Sequence, residues 1–193
     1  AGVVGTVGNG VGTGPGQFSD NGTGPSMCQI SFGSDSTVWV ADDTGNRVHH
    51  FKQSGELIKT IGTGTAGDGP GELREPWGIA VSRLGGSIYI SEFGNRRISE
   101  FNQSDGAFVR VLDTPGVRNP YGICLSPDET TLAVACTWRD GITLFSVDGS
   151  KAPRVIKSWG SGGMDVCDGR SLRWTFCFTA DGEQLVVADR DNN

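Results

Sequence analysis

One pattern recurs four times along this chain, and that self-similarity restricts the fold more than any local motif can. VWVADDTGNRVHHF begins at Val38, IYISEFGNRRISEF at Ile88, LAVACTWRDGITLF at Leu132 and LVVADRDNN at Leu185. The aligned small residues Ala41, Ser91, Ala135 and Ala188 stand 50, 44 and 53 positions apart. A shorter run precedes three of these stretches: PWGIAVS from Pro76, PYGICLS from Pro120 and a diverged RWTFCFT from Arg173. A further apolar segment follows: ELIKTIG from Glu56, AFVRVLD from Ala107 and RVIKSWG from Arg154.

Each complete unit therefore offers four segments of strand length. They are separated by turn signals such as Gln53-Ser54-Gly55, Ser104-Asp105-Gly106 and Asp148-Gly149-Ser150. The second segments (Val38-Trp39-Val40-Ala41, Ile88-Tyr89-Ile90) are apolar on both faces and need cover on both, whereas the fourth segments alternate. Four-stranded units of roughly 40 to 50 residues, each covered by its neighbours, describe the blades of an all-β propeller. No segment carries a sustained helical period, which excludes helical solenoids.

GxGPGxF, then PxGIAV, then a hydrophobic run ending near ADxxxNRV and a final Phe, resembles the NHL repeat. The fullest copies run from Gly67 to Phe101 and from Gly12 to Phe51. The resemblance implies a propeller of four-stranded antiparallel blades, with three complete blades and two partial ones in this chain. The blades are expected at about 26–62, 76–113, 120–160 and, in part, 173–193, with 2–8 as the outer strand of a preceding or closing blade. Val3-Val4-Gly5-Thr6-Val7-Gly8 followed by GTGPGQF matches Leu57-Ile58-Lys59-Thr60-Ile61-Gly62 followed by GDGPGEL, and the last copy stops at Asn193 before its third strand. A six-bladed parent is expected in preference to a closed four-bladed ring.

Three departures from the family pattern stand out. Phe18 and Pro25 are separated by a longer insert, Cys136 replaces the acid found as Asp42, Glu92 and Asp189, and Asn46 falls one place later than Asn95. The recurring Asp42, Asn46, Arg47 and Glu92, Asn95, Arg97 are expected to tie the turns between second and third strands by charge-assisted hydrogen bonds.

The resemblance implies a scaffold more than an activity, since one propeller shape serves many functions. The loops entering the innermost strands gather at one mouth of the central channel, and they carry Arg74, Glu75, Trp77, Arg118, Asn119, Tyr121 and Arg173. Trp, Tyr and Arg dominate binding hot spots, so these residues are the expected contact surface for a protein or other ligand. Packing between blades is the competing role for Trp77 and Tyr121.

Catalysis has little support. Amidating lyases that share the propeller need several His residues converging on metal, whereas this chain has only His49 and His50, which are adjacent and on a strand point to opposite faces. Calcium-dependent propeller lactonases are the second enzyme reading, with Asp35, Asp68, Asp113, Asp165 and Asp168 as loop carboxylates, although a solvated acidic surface accounts for them too. No Ser or Cys lies in an activating motif. No cofactor is expected, with calcium as the one candidate.

The net charge of -6 disfavours nucleic acid, and the Arg96-Arg97 pair sits beside Glu92 and Glu100. No apolar run is long enough to span a bilayer. The five cysteines (Cys28, Cys124, Cys136, Cys167, Cys177) lack zinc spacing and read as buried free thiols in preference to disulfides. Glycosylation acceptor patterns begin at Asn21 and Asn102, which leans towards an extracellular or cell-surface setting. There the chain would bind a protein partner or serve as a structural module that self-assembles, an odd cysteine count permitting an intermolecular bridge.

Overall fold

The structure is a computed structural model that describes residues 11–20, 22, 27–136, 142–156 and 175–188. The described residues contain strands and turns, with no helix, and so none long and apolar enough to cross a membrane. The first sheet holds β1 (Met27–Phe32), β2 (Val38–Asp42), β3 (Arg47–Phe51) and β4 (Leu57–Ile61). The second holds β5 (Pro76–Val81), β6 (Ser87–Glu92), β7 (Arg97–Asn102) and β8 (Phe108–Val111). The third holds β9 (Pro120–Leu125), β10 (Thr131–Cys136), β11 (Ile142–Ser146) and β12 (Arg154–Ile156), and a hairpin of β13 (Thr175–Phe178) and β14 (Leu185–Ala188) follows. Strands neighbour one another in chain order within every sheet, and all the pairs are antiparallel.

Registers repeat from sheet to sheet. Asp42 stands opposite Arg47 in β2 and β3, and Glu92 opposite Arg97 in β6 and β7. The innermost strands share an irregularity at their entry, between Met27 and Ile30, Pro76 and Ile79, and Pro120 and Ile123. Such bulges bend a strand and re-aim its side chains.

Stacking of the sheets follows from the doubly apolar second strands, which are buried from end to end in β2 and nearly so in β6 and β10. Trp39, Ala41, Val48 and Ile61 on the back of the first sheet meet Ile79, Val81, Ile88, Ile90 and Phe101 on the front of the second. Ala80, Tyr89, Ile98 and Leu112 on the back of the second meet Ile123, Leu132, Val134 and Phe145. Ala133, Ala135 and Ile142 of the third pack with Phe176, joined by Leu185 and Val187 from the hairpin. One loop residue completes each front face: Phe18 with Val38, Val40 and Phe51, Leu73 with Ile88, Ile90 and Phe101, and Val117 with Leu132, Val134 and Phe145.

The loops that supply these residues are one structure used twice. In GTGPGQF, Gly12 N donates to Phe18 O at 2.8 Å and Gln17 N to Gly14 O at 3.1 Å. In GDGPGEL, Gly67 N donates to Leu73 O at 3.1 Å and Glu72 N to Gly69 O at 3.1 Å. The side chain of the sixth residue closes each loop, with Gly14 N donating to Gln17 Oε1 and Gly69 N to Glu72 Oε2, both at 3.0 Å.

Outer strands alternate where they should in β4, whose Leu57 and Lys59 are half-buried between exposed Ile58 and Thr60. In β8 the alternation fails: Val109, Arg110 and Val111 are all exposed. The rim position explains it, because Arg110 lies along the edge to reach the third sheet, where its Nη2 donates to Val147 O at 3.0 Å. Lys59 in β4 does the same to the second sheet, its Nζ donating to Gln103 O at 3.3 Å and to Ser104 O.

Candidate binding face and central channel

Side by side, β1, β5, β9 and β13 line a cavity of about 560 Å³. Its two ends differ. At the end where the strands enter, Trp77 and Tyr121 are the second residues of β5 and β9, and their rings meet edge to face with centroids 4.7 Å apart. Phe93, just after β6, brings its ring to 5.0 Å from that of Tyr121. All three aromatics are half-buried.

The loops around this cluster are held in costly conformations. Glu75 and Asn119 each precede a proline that opens an inner strand, and they have φ of 49° and 48°. Left-handed backbone is unfavourable for residues with a Cβ, more so for Glu than for Asn. Specific bonds hold it: Glu75 N donates to Asn46 Oδ1 and Phe93 N to Glu75 O, both at 3.0 Å. Arg74, Glu75 and Arg118 are exposed around the aromatics, and Asn119 is half-buried. The structure thus brings six of the seven expected mouth residues to one end of the inner strands; Arg173 lies outside the described residues. Trp77 and Tyr121 are both half-buried and pack on each other.

Gln29, not anticipated as a site residue, bridges the inner strands and lines the cavity. It stands in β1 where Gly78 and Gly122 stand in β5 and β9, and its amide spans all three strands. Gln29 Oε1 accepts from Ile79 N at 3.3 Å and Ile123 N at 3.2 Å, and Nε2 donates to Ile123 O at 2.9 Å. A Cβ on Gly78 would fall against Tyr121 O, Ser91 Oγ and Gln29 Oε1, so only glycine lets the strands approach this closely. The signal in the sequence was the replacement itself, Met-Cys-Gln-Ile against Pro-Trp-Gly-Ile.

The carboxylate–Arg pairs do more than tie their own turns. Asp42 is fully buried, bonds Arg47 Nε at 3.0 Å and accepts from Gly45 N at 3.1 Å within the turn. It also accepts Ser19 N at 3.2 Å, while Arg47 donates to Thr13 O at 2.9 Å, Gly12 O at 3.2 Å and Gln17 O at 2.8 Å. Glu92 repeats this with Arg97 Nε at 2.7 Å and Arg74 N at 3.2 Å, and Arg97 donates to Asp68 O at 2.7 Å and Glu72 O at 3.1 Å. Each pair therefore pins the GxGPG loop that leads to the mouth. The one-place offset of the asparagines has a geometric reading. Asn46 takes the left-handed position of its turn and reaches Glu75, whereas Asn95 donates to Gly67 O at 2.7 Å and to Glu92. Cys136 is buried where the third acid would be.

His49 and His50 point to opposite faces. His49 Nε2 lies 3.0 Å from Gln17 O, which can only accept, so the neutral ring carries its proton there and Nδ1 accepts from Thr60 Oγ1 at 3.0 Å. Burial, then Arg47, lowers its pKa, so the 3.9 Å approach to Asp42 is not an ion pair near neutrality. His50 stacks on Trp39 with centroids 3.7 Å apart, and burial followed by the Lys59 charge lowers its pKa to about 4. Among the described residues no group of three or more His, Cys, Asp or Glu is placed to hold a metal ion. Asp35 is occupied by its own turn, bonding Thr37 N at 3.1 Å and Thr37 Oγ1, which lowers its pKa. Asp165 and Asp168 lie outside the described residues, as does Asn21; Asn102 Oδ1 accepts Ser104 N at 2.8 Å in an exposed turn.

The cysteines correct the expectation of uniform burial. Cys136 is buried, Cys124 is half-buried with its pKa pushed up to about 12 by burial, and Cys177 is exposed, and none of the three is in a disulfide. Cys177 lies between Phe176 and Phe178, which face the third sheet, so it sits on the opposite face of the hairpin beside exposed Val186. The side chain of Cys28 and all of Cys167 lie outside the described residues.

Stacked four-stranded sheets with their inner strands around a channel define a β-propeller. Comparison with known structures agrees, and the similarity is one of fold. The chain resembles hydrazine synthase of Kuenenia stuttgartiensis with a TM-score of 0.61 and 16% identity, covering 82% of this chain and 40% of that one. It resembles a chain of the nidogen/laminin complex with a TM-score of 0.64 and 23% identity, covering 84% and 56%. It resembles virginiamycin B lyase of Staphylococcus aureus with a TM-score of 0.53 and 18% identity, covering 73% and 45%. The chain spans between 40% and 56% of the length of these three structures. No protein-family model matches the chain, and no curated protein matches it.

Proposed function

We propose that this chain is an NHL-type propeller scaffold that binds a protein partner at the mouth of its central channel. The observation that carries this reading is the aromatic cluster of Trp77, Tyr121 and Phe93, half-buried and bracketed by exposed Arg74, Glu75 and Arg118. Rigid aromatics beside guanidinium groups supply contact area at low entropic cost, which is the composition of interface hot spots. Left-handed backbone at Glu75 and Asn119 supports the same reading, because strain of this kind collects where a surface must be presented in one fixed shape. The recurrent Asp42–Arg47 and Glu92–Arg97 clamps support the NHL assignment, since they use the residues by which the repeat resembles that family. The nidogen/laminin structure is of a complex between two proteins and lends the reading a precedent in a chain of similar fold.

A photo-crosslinking residue in place of Arg118, in the full-length chain expressed in its native cells, tests the proposal. The expected result is a discrete protein adduct that disappears when Trp77 and Tyr121 are both changed to alanine, with the circular dichroism and melting curve of the variant preserved. An adduct that forms equally well without the two aromatics would overturn it.

A further inference from the structure

Two departures from the internal repeat meet at one point. Gln29 stands in β1 where β5 and β9 have Gly78 and Gly122, and Ser91 stands in β6 where the other copies have Ala41, Ala135 and Ala188. Gln29 Oε1, Ser91 Oγ and Tyr121 O all lie within 3.0 Å of the place a Cβ on Gly78 would occupy. Positions that elsewhere hold only a hydrogen or a methyl group thus carry polar side chains here, and both reach the strands that bear the aromatic pair.

Their bonds go to the peptide groups next to the aromatics. Gly78 N, in the peptide that follows Trp77, donates to Ser91 Oγ at 2.7 Å, and the same hydroxyl donates to Tyr121 O. One residue further along β5, Ile79 N donates to Gln29 Oε1 at 3.3 Å. In β9, Ile123 N donates to that oxygen at 3.2 Å and Ile123 O accepts Gln29 Nε2 at 2.9 Å. Ser91 is fully buried with its one proton used, and Gln29 Oε1 has both lone pairs engaged. Because β5 and β9 belong to different sheets, no ladder of backbone bonds sets their separation.

We propose that Gln29 and Ser91 are positioning residues of the binding face, a role that rests on the mouth being where a protein partner docks. Acting through the backbone beside Trp77 and Tyr121, they set the relation of the two rings that the partner meets. Apolar packing alone does not fix that relation. Ala80, Tyr89 and Ile98 meet Ile123, Leu132 and Val134 through contacts that tolerate small slides, whereas a hydrogen bond is directional and weakens steeply when bent. Without the Ser91 hydroxyl, Gly78 N and Tyr121 O lose their common partner, and the half-buried rings are free to shift.

The test reads the rings and the binding separately in the full chain. With fluorotryptophan incorporated, the fluorine resonance of Trp77 is assigned from its loss in Trp77→Phe, and Tyr121→Leu marks where it moves once the ring contact is gone. Ser91→Ala introduces the side chain of the other copies, which fold with it, and Gln29→Ala removes the amide. Singly and together they are expected to carry the Trp77 resonance towards its Tyr121→Leu position, while that of Trp39, in the core between the first and second sheets, stays in place. Capture of protein by a photo-crosslinking residue at Arg118 in native cells is expected to fall by about fivefold in the double variant. Glu129→Ala, which removes hydrogen bonds at the other end of the channel, is expected to change neither reading. A Trp77 resonance that keeps its wild-type position in the single and double variants overturns the proposal, as does one that moves with capture undiminished or in company with Trp39. If the chain with Gln29 and Ser91 in place captures no protein, the docking role of the mouth fails and the binding half of the proposal with it, a result told apart from the others because the resonance still reads the rings.

Discussion

Asp42 and Arg47 face each other across β2 and β3 at 3.0 Å, and between them they hold both the turn of their own sheet and the Gly12–Ser19 loop that precedes β1. The carboxylate is fully buried, so it depends on the guanidinium and two backbone N–H groups for everything that water would otherwise supply. Changing Arg47 to Met strands a buried charge and frees three loop carbonyls. The expected cost is about 3 kcal/mol of unfolding free energy, read from urea titrations. The double variant Asp42→Asn with Arg47→Met is expected to recover part of that loss, because it removes the unpaired charge. Equal or greater loss in the double variant would show that the loop bonds, not the charge, dominate.

His50 predicts the acid side of the stability profile. Its pKa falls from 6.5 to about 4 on folding because the ring is buried against Trp39 and faces Lys59, with Asp35 opposing weakly. The unfolded chain therefore binds a proton more readily than the folded one, and stability declines as pH falls from about 6.5 towards about 4. Above that window the histidine contributes no slope. The loss is expected to be about 1 to 2 kcal/mol after allowance for solvent screening, and His49, lowered in the same direction, adds to it. His50→Phe, which keeps the stack on Trp39, is expected to flatten the profile over this range when denaturant midpoints are measured at intervals of pH.

Much of the fold was visible in the residues before any coordinates, and the reasons are specific. Val38 to Ala41 and Ile88 to Ile90 are apolar on both faces, and a strand of that kind has to be covered twice, which forces stacked sheets. Turn chemistry marked the strand ends, and the loops entering the innermost strands named Trp77 and Tyr121 together, which the structure brings into ring contact. What escaped was contact between distant residues at a single atom. Nothing local to Gln29 tells that its amide reaches Ile123, ninety-four positions away, because hydrogen-bond partners across the channel depend on how closely the strands approach. Phe93 escaped for a related reason, since it joins Tyr121 only through the turn after β6, which the repeat aligns with Asp43 of the first sheet. Exposure of Cys177 was hidden because its apolar neighbours Phe176 and Phe178 occupy the face turned to the third sheet and say nothing of the cover on the other face.

Gly78 sets how tightly β5 meets β9. A methyl group there meets the carbonyl oxygen of Tyr121, which belongs to the backbone of β9 and cannot swing away. Gly78→Ala is expected to destabilise the chain by about 2 to 3 kcal/mol and to broaden the near-ultraviolet signal of Trp77 as the edge-to-face contact with Tyr121 opens. Adding Gln29→Ala is not expected to rescue it. That variant clears only the flexible Oε1 and leaves the Tyr121 carbonyl in place, so a full rescue would mean that the amide, and not the backbone, limits the approach.

At the far end of the channel a single side chain links the second and third sheets. Glu129, held at φ 58°, accepts Ser82 Oγ and Arg83 N at 2.6 Å and Leu84 N at 3.0 Å, so a hairpin of the third sheet grips the hairpin between β5 and β6. In the equivalent turns of the first and second sheets the left-handed position of Glu129 is held by Ser36 and Gly85, which carry no side chain of that length. Glu129→Ala is therefore expected to release the 82–87 hairpin without unfolding either sheet, since the apolar contacts of Ala80, Tyr89 and Ile98 with Ile123 and Leu132 remain. Amide exchange at Arg83 and Leu84 should quicken by about tenfold or more, while Ile88 and Ile90 in β6 keep their protection. Glu129→Gln retains one carbonyl acceptor for the two amides and is expected to fall between the two. If β6 loses protection together with the hairpin in Glu129→Ala, the second and third sheets are coupled through this contact and not through their shared core.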